Sequence, residues 1–183
     1  MGEVASEWSR FEAEYRVSYQ AVVRYLTRRL PQALVDDATS EVFVIAWERW
    51  PTRRGTALPW LYGIARRVVA NARRSQGRAD RLADRLRREE GASTDAPGAD
   101  SEVLERMGAA RILARLPEPD REVLMLVSWD GLDAREAAQA LGCSKAAFAV
   151  RLHRARRRLE QELTKEAPAV TGHRPVTAER TAT

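Results

Sequence analysis

The chain has few of the residues that build disulfides, metal sites and hydrolytic centres. It contains one cysteine and two histidines among 183 residues. The single thiol, Cys143, cannot form an internal disulfide, and no second thiol lies near it in sequence to share a metal ion. A Gly-rich phosphate loop and a Ser-His-Asp arrangement are also lacking. We therefore expect no catalytic residues, no metal and no cofactor, and an enzyme is the least favoured class of function.

The sequence also lacks a long apolar run. No stretch of about 18 apolar residues could cross a bilayer, and the N-terminus does not show the basic-then-apolar order of a secretion signal. We expect a cytoplasmic protein without membrane insertion, in a reducing compartment that suits a lone cysteine. The 31 basic residues exceed the 26 acidic ones and give a net charge of +5 and a pI near 10. This balance favours an anionic partner.

The spacing of apolar residues divides the chain into two helical parts. Residues 7–76 show helical periodicity almost throughout, with little strand-like alternation. Residues 77–102 are first charged and then rich in small residues, which predicts a linker with room for one helical turn before Gly91. Helical periodicity returns in residues 103–165, and residues 166–183 have too little apolar content to pack. The predicted fold class is all-α, with two small helical domains, a flexible linker and a disordered tail.

Residues 133–163 carry the pattern of a helix-turn-helix. Asp133 and Glu136 have the spacing of a capping box, so a helix is predicted to begin near Asp133. Gly142 suits the left-handed residue that ends this helix, and Ser144 can cap the next one. The second helix is basic, and its buried stripe is predicted to contain Phe148, Leu152, Ala155 and Leu159. Two short helices around a tight turn, the second one basic, form a helix-turn-helix in the second domain.

The basic side of the second helix is predicted to face a DNA major groove. Ala147, Arg151, Arg154 and Arg158 recur at i, i+4, i+7 and i+11 beside the buried stripe. The small side chain of Ala147 lets the helix approach the DNA closely, and the arginines can reach phosphates or the edges of guanine bases. The alternative is a solvated basic face, which the capped helix upstream disfavours.

Residues 56–78 show a second pattern that suits nucleic acid. A buried stripe is predicted for Leu61, Ile64, Ala65, Val68 and Ala72. Another side carries Trp60, Arg67, Asn71 and Arg74, flanked by Tyr62, Arg66 and Arg73. Basic groups interleaved with aromatic rings bind the backbone and the unstacked bases of a single strand. The alternative is that the aromatic residues belong to the core and the arginines are only solvated.

These stretches resemble the bacterial sigma factors of RNA polymerase, in particular the small extracytoplasmic-function group. The segment DDATSEVFVIAW is similar to the polymerase-binding helix of that family, with its Asp-x-x-x-Glu-x-Phe-x-x-x-Trp spacing. The segment WLYGIARRVVANARR is similar to the promoter-melting helix, and residues 116–159 resemble the C-terminal domain. The resemblance covers about 11–76 and 103–163, in the order and spacing of the family.

The resemblance implies a role for each domain. Residues 7–76 would form a sigma region 2-like domain that docks on core polymerase through Asp37, Glu41, Val44, Trp47 and Glu48. The same domain would capture and melt the minus-ten element through Arg53, Arg54, Trp60, Tyr62, Arg66, Arg67, Asn71 and Arg74. Residues 103–165 would form a sigma region 4-like domain that reads the minus-thirty-five duplex through Ser144, Lys145, Ala147, Phe148, Arg151, Arg154 and Arg158. The predicted partners are therefore core polymerase and promoter DNA, an anti-sigma factor is allowed as a further partner, and the free protein is expected to be a monomer.

The sequence departs from the family pattern at a few positions. Ser40 stands where Gln is frequent, and Arg67 stands where Asn is frequent, so the minus-ten preference cannot be transferred. Ala149 and Val150 replace polar residues of the recognition helix, which shifts base readout toward the arginines and DNA shape. The competing interpretation is a helix-turn-helix regulator with a helical sensing or dimerisation domain.

Overall fold

The computed structural model describes residues 2–90 and 110–166, and every regular element within these ranges is a helix. The α-helices are α1 (Gly2–Thr27), α2 (Val35–Arg49), α3 (Ala57–Glu90), α4 (residues 110–115), α5 (Glu118–Ser128), α6 (Ala134–Leu141) and α7 (Lys145–Glu166). Short 3-10 turns at Gln32–Leu34 and Trp50–Thr52 precede and follow α2. The all-α prediction is confirmed. None of the described helices is long and apolar enough to span a membrane.

Helices α1, α2 and α3 form the first domain. Val22 and Leu26 of α1, Val42 of α2, and Leu61 and Ala65 of α3 are almost completely buried where the three helices meet. These α3 residues belong to the stripe predicted from the sequence, and the other members are buried or pack against the same core. The stripe prediction is therefore confirmed. Because this stripe faces the core of the first domain, the remaining sides of α3 are available for other contacts.

Helices α5, α6 and α7 form the body of the second domain. Phe148 and Ala155 of α7 are fully buried against Val123 and Leu126 of α5 and Ala137 of α6. Ala137 and its small neighbours let α7 approach α6 closely. The short helices are thereby held together as one unit around a single large aromatic side chain.

Helix α3 is longer than the sequence analysis expected. It continues to Glu90, so residues 77–90 of the predicted linker are helical. The cause is local, because residues 78–90 contain mostly Ala, Leu, Arg and Glu, which are strong helix formers, and no Gly or Pro. Residues 91–102 of the predicted linker and residues 167–183 of the predicted tail lie outside the described residues, as do residues 103–109 of the second domain.

The two domains pack against each other through α3 and α6. The approach is close at Gly63, where an added Cβ would lie 3.2 Å from the backbone oxygen of Ala140. Glycine at this position therefore lets the two helix backbones come together. As a result, one side of α3 faces the second domain, while another remains exposed to solvent.

Candidate nucleic-acid interface

The helix-turn-helix of α6 and α7 has the local geometry that the sequence predicted. The carboxylate of Asp133 accepts from the backbone N–H of Arg135 at 2.7 Å and of Glu136 at 2.8 Å, and the Glu136 carboxylate accepts from the Asp133 N–H at 3.0 Å. Donation by the backbone N–H of Glu136 is the main reason that the pKa of Asp133 is lowered. Gly142 ends α6 in the left-handed conformation with φ 63°. The Ser144 hydroxyl then accepts from the Ala147 N–H at 3.1 Å. The predicted capping box, turn and second cap are confirmed.

Helix α7 presents most of its predicted DNA-binding residues to the outside. Ser144, Lys145, Arg151, Arg154 and Arg158 are exposed, and Ala147 is partly exposed. Phe148 is the exception, because it is fully buried. A side chain in the centre of the core cannot touch DNA, so its inclusion among the DNA contacts is corrected: Phe148 is a packing residue, as its place in the apolar stripe indicated.

The arginines of α7 line a cleft of about 620 Å³ between the two domains. Arg151, Arg154 and Arg158 come from α7, and Arg66 and Arg73 approach from α3. Arg158 forms an ion pair with Asp120 of α5, and Arg73 forms one with Glu118 at the start of α5. The cleft therefore combines a strongly basic lining with carboxylates that neutralise part of it.

The exposed side of α3 carries the residues expected to face a single strand. Arg67, Asn71 and Arg74 are exposed and follow one another at helical spacing, as predicted. Trp60, near the start of the helix, is half-buried and meets Trp50 edge to face, with ring centroids 6.1 Å apart. The structure thus places one aromatic ring and a row of polar and basic groups along one surface of the first domain.

Two predicted members of that surface are turned away from it. Tyr62 is only 3% exposed and stacks on Tyr25 with ring centroids 4.7 Å apart. Burial, assisted by the carboxylate of Asp130, raises the pKa of Tyr62 to about 12. Arg66 lines the cleft, and its Nε is buried without a hydrogen-bond partner. In this arrangement neither residue shares the exposed surface of Arg67, so that part of the prediction is corrected: helical spacing did not show which side of α3 is covered by other helices.

The loop before α3 contains the two predicted arginines. The guanidinium of Arg53 lies 4.5 Å above the ring of Trp50 and donates to the Gly55 carbonyl at 2.6 Å. Arg54 is exposed. Gly55 has φ 77°, a left-handed conformation that favours glycine. The loop is therefore folded on itself, with Arg53 fixed over an aromatic ring.

Helix α2 exposes the residues predicted to bind polymerase. Asp37, Glu41, Val44 and Glu48 lie along one line of the helix surface, and Trp47 lies beside them. Val44 is 58% exposed, and the neighbouring Trp47 is 37% exposed. Trp47 meets Trp8 and Phe11 of α1 edge to face at 4.9 and 5.1 Å between ring centroids. The five residues form one surface with carboxylates around an apolar centre.

Sequence reasoning missed the polar residues that join the domains. Arg28 and Arg29 directly follow α1. Glu122 lies in α5, and Asp130 lies in the loop before α6. We call these four residues the interdomain ion cluster. Its members lie about 100 positions apart in the chain, and neither motif nor periodicity relates them.

Comparison with known proteins assigns both domains. The model of Sigma-70 region 2 matches residues 15–79, and the model of Sigma-70, region 4 matches residues 106–159. The ECF RNA polymerase sigma factor SigD of Mycobacterium tuberculosis is 36% identical over 155 residues, which cover 78% of this chain and 71% of SigD. This chain is a member of the sigma-70 family, in its extracytoplasmic-function group. A sigma factor directs RNA polymerase to promoters, so the alternative of a regulator with a sensing domain is set aside.

Two further matches agree with this assignment. The sigma factor NccH of Alcaligenes xylosoxydans xylosoxydans is 33% identical over 136 residues, covering 71% of this chain and 73% of NccH. The fold is also that of the sigma factor RpoE from Bartonella quintana, solved in complex with the anti-sigma factor NepR. That match has a TM-score of 0.64 at 20% identity and covers 86% of this chain and 98% of RpoE.

Proposed function

We propose that this sigma factor divides promoter recognition between its two domains. Helix α7 reads the minus-thirty-five element as duplex, with Arg151 and Arg154 toward the groove and Ser144 and Lys145 at the backbone. The exposed side of α3 and the loop at Arg53 and Arg54 bind the unstacked minus-ten strand. The observation that carries the proposal is the coexistence of a doubly capped helix-turn-helix and a separate aromatic and basic surface on α3. Duplex reading needs the first, and strand capture needs the second.

Helix α2 is proposed as the polymerase-binding surface. Paired carboxylates one turn apart, Asp37 and Glu41, suit a basic partner surface, and Trp47 with Val44 supplies the apolar contact that is buried on binding. Trp47 is already held by Trp8 and Phe11, so its position is fixed before docking. A fixed anchor loses less conformational entropy when the complex forms.

Several broader features belong to the same proposal. We infer the division into domains at residues 7–76 and 103–165, a cytoplasmic location, and a monomer that acts without catalysing a reaction itself. An anti-sigma factor is proposed as a partner because the similar RpoE was solved with one.

Transcription and competition assays with core polymerase test the polymerase-binding surface. Purified core polymerase would first be used with the wild-type factor on genomic fragments, and the start sites would be sequenced to define a promoter. Asp37→Lys should then weaken core binding, measured by competition, because it places a positive charge where a basic partner docks. Adding Glu41→Lys should weaken binding further.

Asp36→Lys is the matched control for this experiment. Asp36 is also exposed in the first turn of α2, but it points about 100° away from Asp37. The Asp36→Lys variant therefore carries the same charge change at the start of α2 as Asp37→Lys, but the change lies outside the proposed surface. Equal core binding by the wild-type protein and the Asp37→Lys, Glu41→Lys variant would contradict the assignment.

A further inference from the structure

The first part of helix α7 is apolar, and the arginines begin only after it. Residues 146–150 have the sequence AAFAV. Phe148 is buried in the core, whereas the other four residues are exposed or partly exposed. None of these side chains can donate or accept a hydrogen bond. Between Lys145 and Arg151, the helix therefore offers DNA apolar contacts alone.

Val150 is the side chain of this segment that reaches furthest from the helix. It is 57% exposed, and the three alanines beside it end at Cβ. At about 100° per residue, Val150 lies about 140° or more from every member of the buried stripe of α7. It therefore points away from the core of the second domain. Exposure alone gives an apolar residue no function, so the argument depends on where Val150 lies on the helix.

The neighbours of Val150 place it on the side of α7 that is proposed to face the groove. Ala147 precedes it by three residues and Arg154 follows it by four, and each lies within about 60° of it around the helix. Val150 is also the sixth residue of α7, which begins at Lys145. The first residues of a recognition helix are the ones that contact base edges. In the proposed binding mode, Val150 therefore meets a base and not the phosphate backbone.

The chemistry of the major groove selects one partner for an apolar side chain. Among the four bases, thymine alone presents a methyl group there, and the other groups on the base edges are mainly hydrogen-bond donors and acceptors. A donor or acceptor against Val150 would lose its water without gaining a hydrogen bond. A methyl group in the same place is stabilised by the burial of apolar surface.

We propose that Val150 recognises a thymine of the minus-thirty-five element through the C5 methyl group of that base. The inference rests on the proposed function, because it requires α7 in the major groove. Arg154 lies about 6 Å further along the helix axis, so a guanine bound by Arg154 should lie within about two base pairs of this thymine. A valine at a position that is often polar in the family thus changes which base is preferred and does not remove readout.

Replacement of thymine by deoxyuridine tests this contact directly. Deoxyuridine lacks the C5 methyl group but keeps the same base pairing and the same O4 acceptor. Holoenzyme would be assembled from the full-length factor and core polymerase, on a promoter identified with the wild-type factor by sequencing of its start sites. Each thymine of the minus-thirty-five element, on both strands, would be replaced singly, and the affinity measured by competition. One replacement should weaken binding about threefold to fourfold, the effect of one buried methyl group.

Val150→Ala shows whether Val150 is the partner of that methyl group. This variant should bind the unmodified promoter about threefold to fourfold more weakly and should no longer respond to deoxyuridine at the sensitive position. The two changes are then not additive, as expected for groups in contact. Val17→Ala is the matched control, because it is the same substitution at a position of α1 that is 79% exposed. It should keep the full response to deoxyuridine.

The outcomes separate this inference from the proposed function. An equal response to deoxyuridine in the wild-type and Val150→Ala proteins, or no response at any thymine, would overturn the inference and leave duplex reading by α7 intact. Weaker binding of Val150→Ala together with an unchanged response would assign Val150 to a protein contact. A minus-thirty-five element without thymine would also overturn the inference. Failure of the wild-type factor to direct initiation at any promoter would contradict the proposed function, and the inference with it.

Discussion

Replacing Phe148 by alanine should unfold the second domain locally and leave the first one folded. Phe148 is fully buried among α5, α6 and α7, and a buried Phe→Ala change costs about 3–5 kcal/mol. A domain of about 60 residues has a free energy of unfolding of roughly 3–9 kcal/mol. The change therefore removes a large share of the stability of this domain, if not all of it.

Amide hydrogen exchange of the full-length protein, followed by mass spectrometry of peptides, measures this loss. Protection of α6 and α7 should fall by roughly 100-fold or more, since each 1.4 kcal/mol is about tenfold. Peptides of α2 should change little. Val150→Ala is the control, because Val150 lies on the same helix but is 57% exposed. Full protection of α6 and α7 in Phe148→Ala, with loss of DNA binding alone, would show that Phe148 is a DNA contact and that the core assignment is wrong.

Three further predictions concern the turn, the buried Tyr62 and the recognition helix. Gly142→Ala should cost about 1–2 kcal/mol, because an L side chain is strained at φ 63°, and an unchanged urea midpoint would contradict this. Because burial raises the pKa of Tyr62 to about 12, its contribution to the stability of the folded protein should be complete below pH 10 and be lost as the pH rises from about 10 to 12. Absorbance titration should show two late-ionising tyrosines in the wild-type protein, Tyr25 and Tyr62, and one fewer in Tyr62→Phe; an unchanged number of late-ionising groups in that variant would argue against the burial of Tyr62. Arg151→Ala should lose about 1–3 kcal/mol of discrimination between matched and scrambled minus-thirty-five duplexes, whereas Arg157→Ala should cost little on either duplex. Equal weakening of both duplexes by Arg151→Ala, titrated at two salt concentrations, would reassign Arg151 to a phosphate.

The predictions that the structure confirms depend on neighbours in the chain. The capping box at Asp133 and Glu136, the left-handed Gly142 and the Ser144 cap each involve groups within a few residues, so residue type and spacing are sufficient to identify them. The stripe of Leu61 and Ala65 could be predicted for the same reason.

The features that the sequence could not predict depend on contacts between distant segments. Tyr62 is covered by the ring of Tyr25 in α1, and the pattern within one helix does not say what packs on its remaining sides. Arg29 and Asp130 meet across 101 positions, where charged residues at each end look like ordinary solvated groups. The length of α3 was underestimated for a different reason: charged residues were taken to indicate a linker, although Arg and Glu are also strong helix formers.

The close approach of α3 and α6 has a consequence for how these proteins can diverge. A Cβ at Gly63 would lie 3.2 Å from the backbone oxygen of Ala140 rather than against a flexible side chain, so a rotamer change cannot make room for it and the α6 backbone itself must shift by a few tenths of an ångström. In homologues that share this closed packing, a larger residue at position 63 should occur only where the α6 backbone has moved away, together with changes at positions 139 and 140. Relatives without that packing are under no such constraint. Coupled variation between these positions in an alignment would therefore distinguish lineages that retain the contact from those that have lost it.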